Sequence, residues 1–559
     1  MLKNTNRFFW RSFGIIGIVI GLLWSCETSN NSSKSYYFNP VSGNDTNSGD
    51  SENSAFKSLR KISALKLEAG DHIYLAAGET FLEPLELREV KGSETEPVLI
   101  STYGKSKDTL AHIKVEGALN GVLIKNCQNL SLQNLNISAK AKEDQNKTEE
   151  RTMRCGILVQ ITKNDVYQNI SLKNIKIKDV FYEKEGFTRP KNEVKSANGT
   201  QNYGWGIRII NQTQTGFIKN IRIQNAVVDN VSHTGIKLTS RDHTDTYGID
   251  TFEISNSQVT NTGGPGIQMS GVKNGHIFNN SVDHSGSAND SRKWGRGSGL
   301  WTWGSRDILI EKNRFTNANG PGDSAGAHID FNCNNVILQY NFSAHNAGGF
   351  CEILGNNYNC AYRYNISVND GYRIKGENGA FQEGKVFWLS GYSGKKRRGP
   401  FNSYFYNNTI YVKDSLTAKI AIDRLAKGIL IANNIFQIEG SSKLVKGDQY
   451  NPETEGAWLA EDVIFKNNLF FTDKSWPKNL KLQDTHPYYG NAQFSKPGGL
   501  LPEYYIPNNI DLIQNKGIQI EKLPQDSIGI IYGLQVKNDI LGRPIKNLPD
   551  LGAIELNQN

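Results

Sequence analysis

The sequence predicts an all-β protein built as a single-stranded parallel β-helix, a solenoid in which each turn of the chain forms one coil. From about Val98 onward, short strands with alternating or β-branched residues replace any helical periodicity. Many of these strands end in Asn, at intervals such as 24 residues from Asn341 to Asn365 and 26 residues from Asn408 to Asn434. An interval of this size is one coil of a parallel β-helix. The strand-ending residues are Asn134, Asn174, Asn225, Asn256, Asn280, Asn313, Asn341, Asn365, Asn408, Asn434 and Asn468.

Composition favours one long repetitive domain over two or three globular ones, because the 559 residues include 54 Gly and recurrent Asn. The net charge of +8 is mild for this length, and no long basic helix or aromatic-basic motif is present. Nucleic acid is therefore not an expected partner, and the basicity favours an acidic substrate or surface instead. We expect a monomer.

The N-terminus predicts export. An apolar run over residues 14–24 follows three basic residues and is too short for a membrane-spanning helix. It leads into a Leu-Trp-Ser-Cys sequence, ending at Cys26, that resembles the cleavage box of bacterial lipoproteins. The resemblance implies a signal peptide over residues 1–25, a lipid such as palmitate on Cys26, and an anchor in a membrane of the cell envelope. An ordinary secretory signal is the alternative, and either interpretation exports the chain. Residues 26–35, rich in Ser and Asn, are predicted to be a flexible tether.

The folded part is predicted to begin with a cap. Residues 36–97 contain a helix-like run to Leu67 and then a turn that enters a strand, and we expect them to form an N-terminal helical cap and the first coil. An open solenoid end would expose unpaired strand groups, so a cap has a physical role. Residues 98–475 are predicted to be the β-helix with inserted loops. Residues 476–559 are predicted to be a C-terminal capping segment, not a second catalytic domain.

The strand-ending Asn residues have a physical explanation. Asn tolerates the left-handed backbone of a turn, and its amide can bond to the Asn of the next coil, so stacked amides should form a ladder. Longer intervals imply inserted loops, which should crowd one side of the helix, where repeat proteins build binding sites. The loops are 142–154, 182–203, 241–250, 285–296 and 376–400.

The capped opening, the Asn ladder and the ending from Leu541 to Glu555 together resemble the right-handed parallel β-helix proteins of the pectate-lyase-like superfamily. The resemblance covers nearly the whole mature chain and implies a right-handed helix in an exported, carbohydrate-active protein. It specifies fold better than function, because the superfamily includes lyases, glycoside hydrolases, epimerases, esterases and adhesins. It carries over no catalytic residues, since nothing here matches a lyase calcium site or a pectinase motif.

Five further cysteines lack the spacing of a metal site, so no metal site is predicted there. An odd number leaves at least one without a partner in the chain, and both buried thiols and one or two coil-to-coil disulfides fit the pattern. These residues are Cys127, Cys155, Cys333, Cys351 and Cys360.

Residues 297–355 are the centre of the chain's organisation, because one pattern occurs there three times. A Gly-rich turn leads into a strand of alternating character, and a second apolar strand ending in Asn follows. The expected positions at or beside the coil interior are Thr302, Phe331 and Ile353. In that register Trp303, Asp330 and Glu352 project from one outer face in a single column.

The two carboxylates of that column suggest acid–base chemistry. Asp330 and Glu352 are 22 residues apart, close to one coil. Since parallel strands lie about 4.8 Å apart, their carboxyls could approach the ~5 to 5.5 Å of a retaining glycosidase or the ~6.5 to 9.5 Å of an inverting one. Like charges at this distance raise one pKa and create a proton donor. Asp323, in a Gly-rich turn, is a third catalytic candidate. The alternative is that these are solvated surface carboxylates.

Aromatic and basic residues near this column are candidate substrate contacts. Trp301 and Trp303 share a face and offer a flat surface to a sugar ring, unless they pack under the loop 292–296. His328 should point the same way as Asp330 and could bond a sugar hydroxyl, although a structural role fits equally well. Further candidates are Arg373, Lys375, the basic run 395–398, and, as outer-subsite contacts, Gln268, Lys237 and Arg208. The cations suit a uronate or sulfate group, whereas a basic run in a loop is often a solvated tip.

Three functions fit these residues. The first is an exported glycoside hydrolase on a complex, acidic or sulfated polysaccharide or its oligosaccharides, with Asp330 and Glu352 as catalytic pair and no cofactor. The second is a polysaccharide lyase that uses His328, Arg373 or Lys375 as base, with the carboxylates holding a divalent cation such as calcium. The third is a non-catalytic, glycan-binding surface lipoprotein.

Overall fold

The structure is a computed structural model that describes residues 33–104, 109–142, 153–190, 202–240, 247–394, 397–445 and 461–556. Short helices lie at Glu52–Ser54, Leu59–Ala64, Pro502–Tyr505 and Ile510–Ile513. The strands of the N-terminal half are β1 Ser35–Phe38, β2 His72–Ala76, β3 Thr80–Phe81, β4 Leu85–Arg88, β5 Val98–Tyr103, β6 Ala111–Glu116, β7 Asn120–Lys125, β8 Leu130–Lys140, β9 Arg154–Ile161, β10 Val166–Phe181, β11 Gly204–Asn211, β12 Phe217–Gln224, β13 Val227–Val231, β14 Ile236–Thr239, β15 Ile249–Ser255, β16 Gln258–Thr262, β17 Ile267–Ser270, β18 Val272–Phe278 and β19 Ser281–Asp283.

The strands of the C-terminal half are β20 Leu300–Trp303, β21 Arg306–Glu311, β22 Arg314–Thr316, β23 Ala327–Ile329, β24 Asn334–Gln339, β25 Phe342–Ala344, β26 Gly349–Ile353, β27 Ala361–Arg363, β28 Ile366–Val368, β29 Lys385–Leu389, β30 Phe401–Tyr406, β31 Thr409–Val412, β32 Ala418–Ile422, β33 Lys427–Ala432, β34 Ile435–Ile438, β35 Ser442–Leu444, β36 Val463–Lys466, β37 Leu469–Phe470 and β38 Tyr488–Tyr489.

The strands stack in parallel to form a β-helix, as the sequence predicts. A complete coil contributes three strands, so β20, β21 and β22 are followed one layer on by β23, β24 and β25. The first strand of each coil joins a 12-stranded sheet that runs from β4 to β35, and the other two join a 26-stranded sheet. A residue in one coil therefore has a register partner in the next, and outward side chains form columns along the helix axis.

The interior of the coils is a continuous aliphatic core. Side chains alternate along each strand, so in β6 Ile113 and Val115 are buried while Lys114 and Glu116 are exposed. Each fully buried aliphatic side chain contributes roughly 1.5–3 kcal/mol relative to an exposed one. The core thus holds the coils together and leaves the outer faces available for polar chemistry.

An amide ladder runs through the second half of the helix, as expected. In this ladder Nδ2 of each Asn donates to Oδ1 of the Asn one coil further on, at 2.9–3.0 Å. Its members are Asn280, Asn313, Asn341, Asn365, Asn408, Asn434 and Asn468. The ladder ends where Asn468 Nδ2 donates to Asp484 at 2.7 Å.

The expected left-handed backbone of these Asn residues is only partly correct. It occurs at Asn134 (φ 58°) and Asn256 (φ 51°). Within the ladder from Asn280 onward, the preceding residue takes this conformation instead, as Tyr340 (φ 57°) does before Asn341. The physical reason is that the ladder residue turns its amide into the coil, so the residue before it must make the bend.

Both ends of the described helix carry additional packing. The helix-like run predicted near the start is a short 3₁₀ helix at Leu59–Ala64. At the other end Trp476 joins the interior core. The chain then returns along the outer face of the 26-stranded sheet, where Tyr505 packs near Phe342 and Ile520 near Leu430. The C-terminal segment therefore closes the last coil and also covers one flank.

The cysteines and the N-terminus complete the comparison with the sequence. The five cysteines named above are all buried free thiols, so the disulfide alternative is wrong for them. Cys26 and the predicted signal peptide lie outside the described residues. In the ranges that the structure describes, no helix has the length and apolar character needed to cross a membrane.

Candidate active site

The candidate residues lie on the outward face of the 12-stranded sheet, where register defines two adjacent columns. The Glu352 column contains Gln268, Trp301, His328, Glu352 and Trp388, and the Asp330 column contains Ser270, Trp303, Asp330 and Leu354. Because Ile329 pairs with Ile353, Glu352 lies beside His328, and Leu354 lies beside Asp330. The prediction of a single column that joins Trp303, Asp330 and Glu352 is therefore wrong.

Asp330 is a buried carboxyl group at the end of β23, with 6% of the residue exposed. Trp301 Nε1 donates to Oδ2 at 2.6 Å, and the backbone N–H of Phe331 donates to Oδ1 at 2.8 Å. Burial raises the pKa of Asp330 to about 7, and the charge of Asp323 adds to the rise, while the two hydrogen bonds and Arg296 oppose it. Asp330 can therefore keep a proton near neutral pH.

Asp323 lies in the turn before β23 and has the opposite character. Arg296 Nε donates to its Oδ2 at 2.7 Å and Arg296 Nη2 to its Oδ1 at 3.2 Å, a two-point ion pair. Burial acts to raise the pKa of Asp323, but Arg296, followed by His328 and Arg373, lowers it by more. Asp323 is therefore an ionised carboxylate, and its charge helps to keep Asp330 protonated.

The turn that carries Asp323 is held in place by Arg373. The Arg373 guanidinium donates to the carbonyl oxygens of Gly320 at 3.0 Å and Asp323 at 2.9 Å, and its Nε donates to the Gln382 carbonyl at 2.7 Å. Gln382 Oε1 in turn accepts the backbone N–H of Asp323 at 2.6 Å. Arg373 thus positions the turn, and its role in contacting substrate stays a prediction. Lys375 lies two residues further along, exposed on the same outer loop.

His328 lies on β23 beside Trp301 and is neutral near pH 7. Its Nδ1 lies 2.9 Å from Ser298 Oγ, and its ring centroid lies 5.6 Å from that of Trp301. Burial lowers the pKa of His328 to about 4, with Asp323 opposing the shift and Arg296 adding to it. A neutral imidazole can both donate and accept a hydrogen bond, so His328 can support Asp323 or a substrate hydroxyl.

An aromatic wall stands beside Asp330. Trp303 contacts Phe331 edge to face, with ring centroids 5.5 Å apart, and Phe331 contacts Tyr392 at 5.4 Å. The expected inward position of Phe331 is wrong, because Ile329 is the inward residue of this coil and Phe331 lies beyond the end of the strand. Trp301 is only 8% exposed and uses its N–H on Asp330, so Trp303 has the more open ring.

Glu352 is also buried, between His328 and Trp388 in its column. The Lys385 ammonium lies 3.7 Å from the Trp388 ring centroid. The Glu352 backbone carbonyl accepts from the Tyr362 hydroxyl at 3.0 Å. Glu352 and Asp330 are therefore not the solvated surface groups that the alternative interpretation describes.

The Glu352 column continues towards the N-terminus through the predicted outer-subsite residues. Arg208, Lys237 and Gln268 pair in register on successive coils. Gln268 is buried, and among the described residues its Oε1 has no hydrogen-bond partner. The Arg208 guanidinium lies 4.6 Å from the Trp205 ring centroid. Gln268 therefore offers an unused hydrogen-bond acceptor, and substrate contact by these three residues stays a prediction.

The loops that were expected around the site contribute in different ways. Trp294, in the loop 292–296, stacks on His233 with ring centroids 4.5 Å apart. Of the predicted basic run, Arg397 pairs with Asp423, with 2.9 Å between Nε and Oδ2, and the first two lysines lie outside the described residues. The Arg398 guanidinium donates to the Tyr358 hydroxyl at 2.7 Å.

Sequence reasoning did not identify Arg296, Ser298 or Tyr392 as site residues. The available signal for Arg296 is its position between two glycines directly before β20. Tyr392 follows β29, and only the three-dimensional arrangement reveals that it is close to Asp330. Burial raises the pKa of Tyr392, and the charge of Asp330 adds to the rise. In the part of the chain that the structure describes, no three His, Cys, Asp or Glu side chains are grouped to hold a metal ion.

The fold and this site define a right-handed parallel β-helix protein with Asp330 and Glu352 buried on the outward face of its 12-stranded sheet and Asp323 in the turn before β23. Residues 205–375, which include both carboxyl groups, match the family model described as "Right handed beta helix region".

The chain is similar to the lacto-N-biosidase of Bifidobacterium longum subsp. longum, with 23% identity over an alignment of 630 residues that covers 94% of this chain and 37% of the relative. The chain thus spans little more than a third of that relative's length. Among solved structures it is similar to the GH136 lacto-N-biosidase of Eubacterium ramulus, with a TM-score of 0.53, 18% identity, and coverage of 78% of this chain and 68% of that one. The selenomethionine derivative of that enzyme gives a TM-score of 0.52. At these identities the structural likeness shows the fold.

Proposed function

We propose that the protein is a glycoside hydrolase in which Asp330 is the proton donor and Asp323 the ionised partner. The observation that carries this proposal is that two carboxyl groups, one of which acts electrostatically on the other, have opposite environments. Asp330 is buried and accepts a hydrogen bond from Trp301, whereas Asp323 forms a two-point ion pair with Arg296. Glycosidases use two carboxyl groups whose surroundings drive their pKa values apart in this way.

Asp330 protonates the glycosidic oxygen as the bond to the leaving group breaks. Its pKa of about 7 leaves it mostly protonated in mildly acidic solution and makes its proton available at neutral pH. When the proton leaves, the Trp301 N–H and the Phe331 N–H stabilise the new carboxylate. These residues therefore both orient the acid and accommodate its conjugate base.

Asp323 stabilises the positive charge that develops on the sugar ring, and acts either as nucleophile or as the base that activates water. Arg296 keeps Asp323 ionised, and Arg373 and Gln382 fix the turn that positions it. Both retaining and inverting stereochemistry are compatible with this assignment. Glu352, one coil further on and beside His328, becomes a substrate-contacting carboxylate instead of half of the catalytic pair.

We propose oligosaccharides as the substrate class. The similarity to two proteins named lacto-N-biosidase supports a substrate that carries a lacto-N-biosyl unit. Several cations near the described site already have protein partners, among them Arg296 and Arg397, which favours neutral sugars. An acidic or sulfated substrate stays a prediction. We further propose that the enzyme acts at the cell envelope, anchored through Cys26.

The test is an assay of the chain from residue 33 onward against neutral, acidic and sulfated oligosaccharides, including one that ends in a lacto-N-biosyl unit. Reducing ends and the ultraviolet absorbance of an unsaturated uronate are followed together. New reducing ends without that absorbance, lost in Asp330→Asn and in Asp323→Asn, are the expected result. Both signals rising together would establish a lyase and overturn the proposal.

A further inference from the structure

A second cavity lies beside the candidate active site. A cleft of about 640 Å³ opens among three turns that lead from the 26-stranded sheet towards the 12-stranded sheet, at residues 284–289, 317–321 and 372–380. This volume is within the range of about 300–1,000 Å³ that is usual for ligand pockets. The cleft contains neither Asp330 nor Asp323 in its lining, so it is not the catalytic pocket itself.

The lining of the cleft has the chemistry of a neutral saccharide site. Asn289, Asn317, Asn319 and Asn378 supply amide groups that both donate and accept hydrogen bonds. The Asn317 amide already donates one hydrogen to Asp283 at 2.8 Å, and Asn289 Oδ1 accepts from Lys293 Nζ at 2.8 Å, so these two offer a ligand their remaining hydrogens and lone pairs. Tyr372 is 36% exposed and offers an aromatic face of the kind that contacts the C–H surface of a sugar ring. Several amide groups that can bond to hydroxyls, around one exposed aromatic ring, suit a sugar better than an apolar ligand.

The charges around the cleft do not favour an anionic ligand. Arg373 is buried, and its guanidinium donates to the carbonyl oxygens of Gly320, Asp323 and Gln382. Glu377 adds a negative charge to the rim. A phosphate, sulfate or uronate would therefore be repelled by Glu377 and would find Arg373 already bonded to the protein. Neutral hydroxyl groups would meet no such repulsion.

The cleft is physically coupled to the catalytic turn. Gly320 and Pro321 line it, and Asp323 follows two residues later. Arg373 also lines it and donates to the Asp323 carbonyl, so one side chain contacts both places. The turn that carries Asp323 therefore forms part of the wall of the cleft.

We propose that the cleft is a distal subsite that binds further neutral sugar units of the same oligosaccharide whose scissile bond lies at Asp330 and Asp323. This inference rests on the proposed function. Tyr372 is the stacking platform of the subsite, and the asparagines bond the hydroxyl groups of the distal sugars. Longer oligosaccharides should then bind more tightly than short ones.

The test measures binding by calorimetry to the Asp330→Asn protein, which should not cleave its ligand. The probes are a disaccharide, a tetrasaccharide and a hexasaccharide that share the same lacto-N-biosyl end. Affinity should increase with length, and adding Tyr372→Ala should reduce the increase by roughly tenfold, the loss expected for one important aromatic contact. Ala288→Trp, which narrows the same cleft, should also remove the increase, whereas Tyr489→Ala on the distant C-terminal segment should preserve it.

Two outcomes overturn the proposal: affinity that does not depend on length, and an equal loss of affinity in Tyr489→Ala. Failure of the proposed function is a different result, namely no hydrolysis by the unsubstituted protein. Length-dependent binding that Tyr372→Ala removes would then still identify the cleft as a saccharide site.

Discussion

Two buried aspartates in different regions of the molecule make an instructive comparison. Asp370 lies inside a corner of the coil and accepts four hydrogen bonds, from the Ser343 and Ser367 hydroxyls and from the backbone N–H and Nδ2 of Asn346. Asp330, on the outer sheet, accepts two. Burial raises the pKa of both, to about 6 for Asp370 and about 7 for Asp330.

The comparison teaches that a raised pKa alone does not identify a catalytic group. A carboxylate has room for about four hydrogen bonds, so the protein already satisfies Asp370 completely. Asp330 keeps acceptor capacity for a substrate and faces outward. Unused hydrogen-bonding capacity, together with a partner of opposite character such as Asp323, distinguishes the candidate catalytic carboxyl from the structural one.

The largest expected difference between the two aspartates is in activity. Asp330→Asn removes the proton donor, so kcat/KM on an oligosaccharide with an unactivated leaving group should fall by about 10²- to 10⁴-fold. Asp370→Asn serves as the matched control, and kcat/KM per folded molecule should change only a few-fold. Equal losses in the two variants would mean that the comparison has selected the wrong residue.

The second difference is in stability. Asp370→Ala leaves the donors of Asn346 and two serines without their acceptor, and each buried unsatisfied group costs about 1–3 kcal/mol. We expect the free energy of unfolding to fall by about 3 kcal/mol, which should appear as a clear drop in the midpoint of thermal unfolding. Asp330→Ala loses fewer hydrogen bonds and a buried ionisable group, so its midpoint should change less. The opposite ranking would contradict the assignment of Asp370 to structure.

The third difference is in the pH dependence of stability. The pKa of Asp330 in the folded protein is about 7, above its ordinary value of about 3.8. The folded state therefore binds the proton more tightly, and the stability contributed by Asp330 is complete below about pH 4 and is lost as the pH rises towards 7. The slope is at most about 1.4 kcal/mol per pH unit for one group. Asp330→Asn should remove this contribution. The unfolding midpoint should then fall less between pH 5 and pH 7 in the variant than in the unsubstituted protein.

The smallest expected effect concerns the partner carboxylate. Arg296→Gln removes the largest influence that lowers the pKa of Asp323, so this pKa should rise. Since Asp323 must be ionised to act, the acidic limb of the kcat/KM profile should move up by about one pH unit. Arg296 also lowers the pKa of Asp330, but as a smaller influence than burial, so the alkaline limb that Asp330 sets should move up by less. Arg296→Lys keeps the charge and should shift the limb less. An unmoved acidic limb would show that another group sets it.

The sequence predicted the fold because the fold has a repeating physical signature. The Asn spacing reports the length of a coil, and the amides from Asn280 to Asn468 do form the expected ladder. The sequence also brought Asp323, His328, Asp330 and Trp301 to one region, since they belong to two successive coils. These successes depend only on strand periodicity and on the regular stacking of parallel strands.

The details that failed depend on register and on loops. The 24-residue interval from Asn341 to Asn365 places residue 354, not Glu352, beside Asp330, and a shift of two residues moves a side chain to the next column. Arg296 approaches Asp323 from an irregular loop, for which sequence periodicity gives no position. The fold was therefore more predictable than the catalytic pairing, because register and loop geometry, not strand pattern, decide which carboxyl groups meet.

The end of the amide ladder has a consequence for assembly. Every Asn in the ladder both donates and accepts a hydrogen bond. A helix that stopped at Asn468 would therefore present an unused amide donor to any matching coil of another molecule. Asp484 Oδ2 accepts from both Nδ2 and the backbone N–H of Asn468, and a carboxyl side chain has no amide N–H with which to continue the ladder. The change from an amide to a carboxylate therefore leaves no unused Asn donor at this end of the ladder for another molecule to accept.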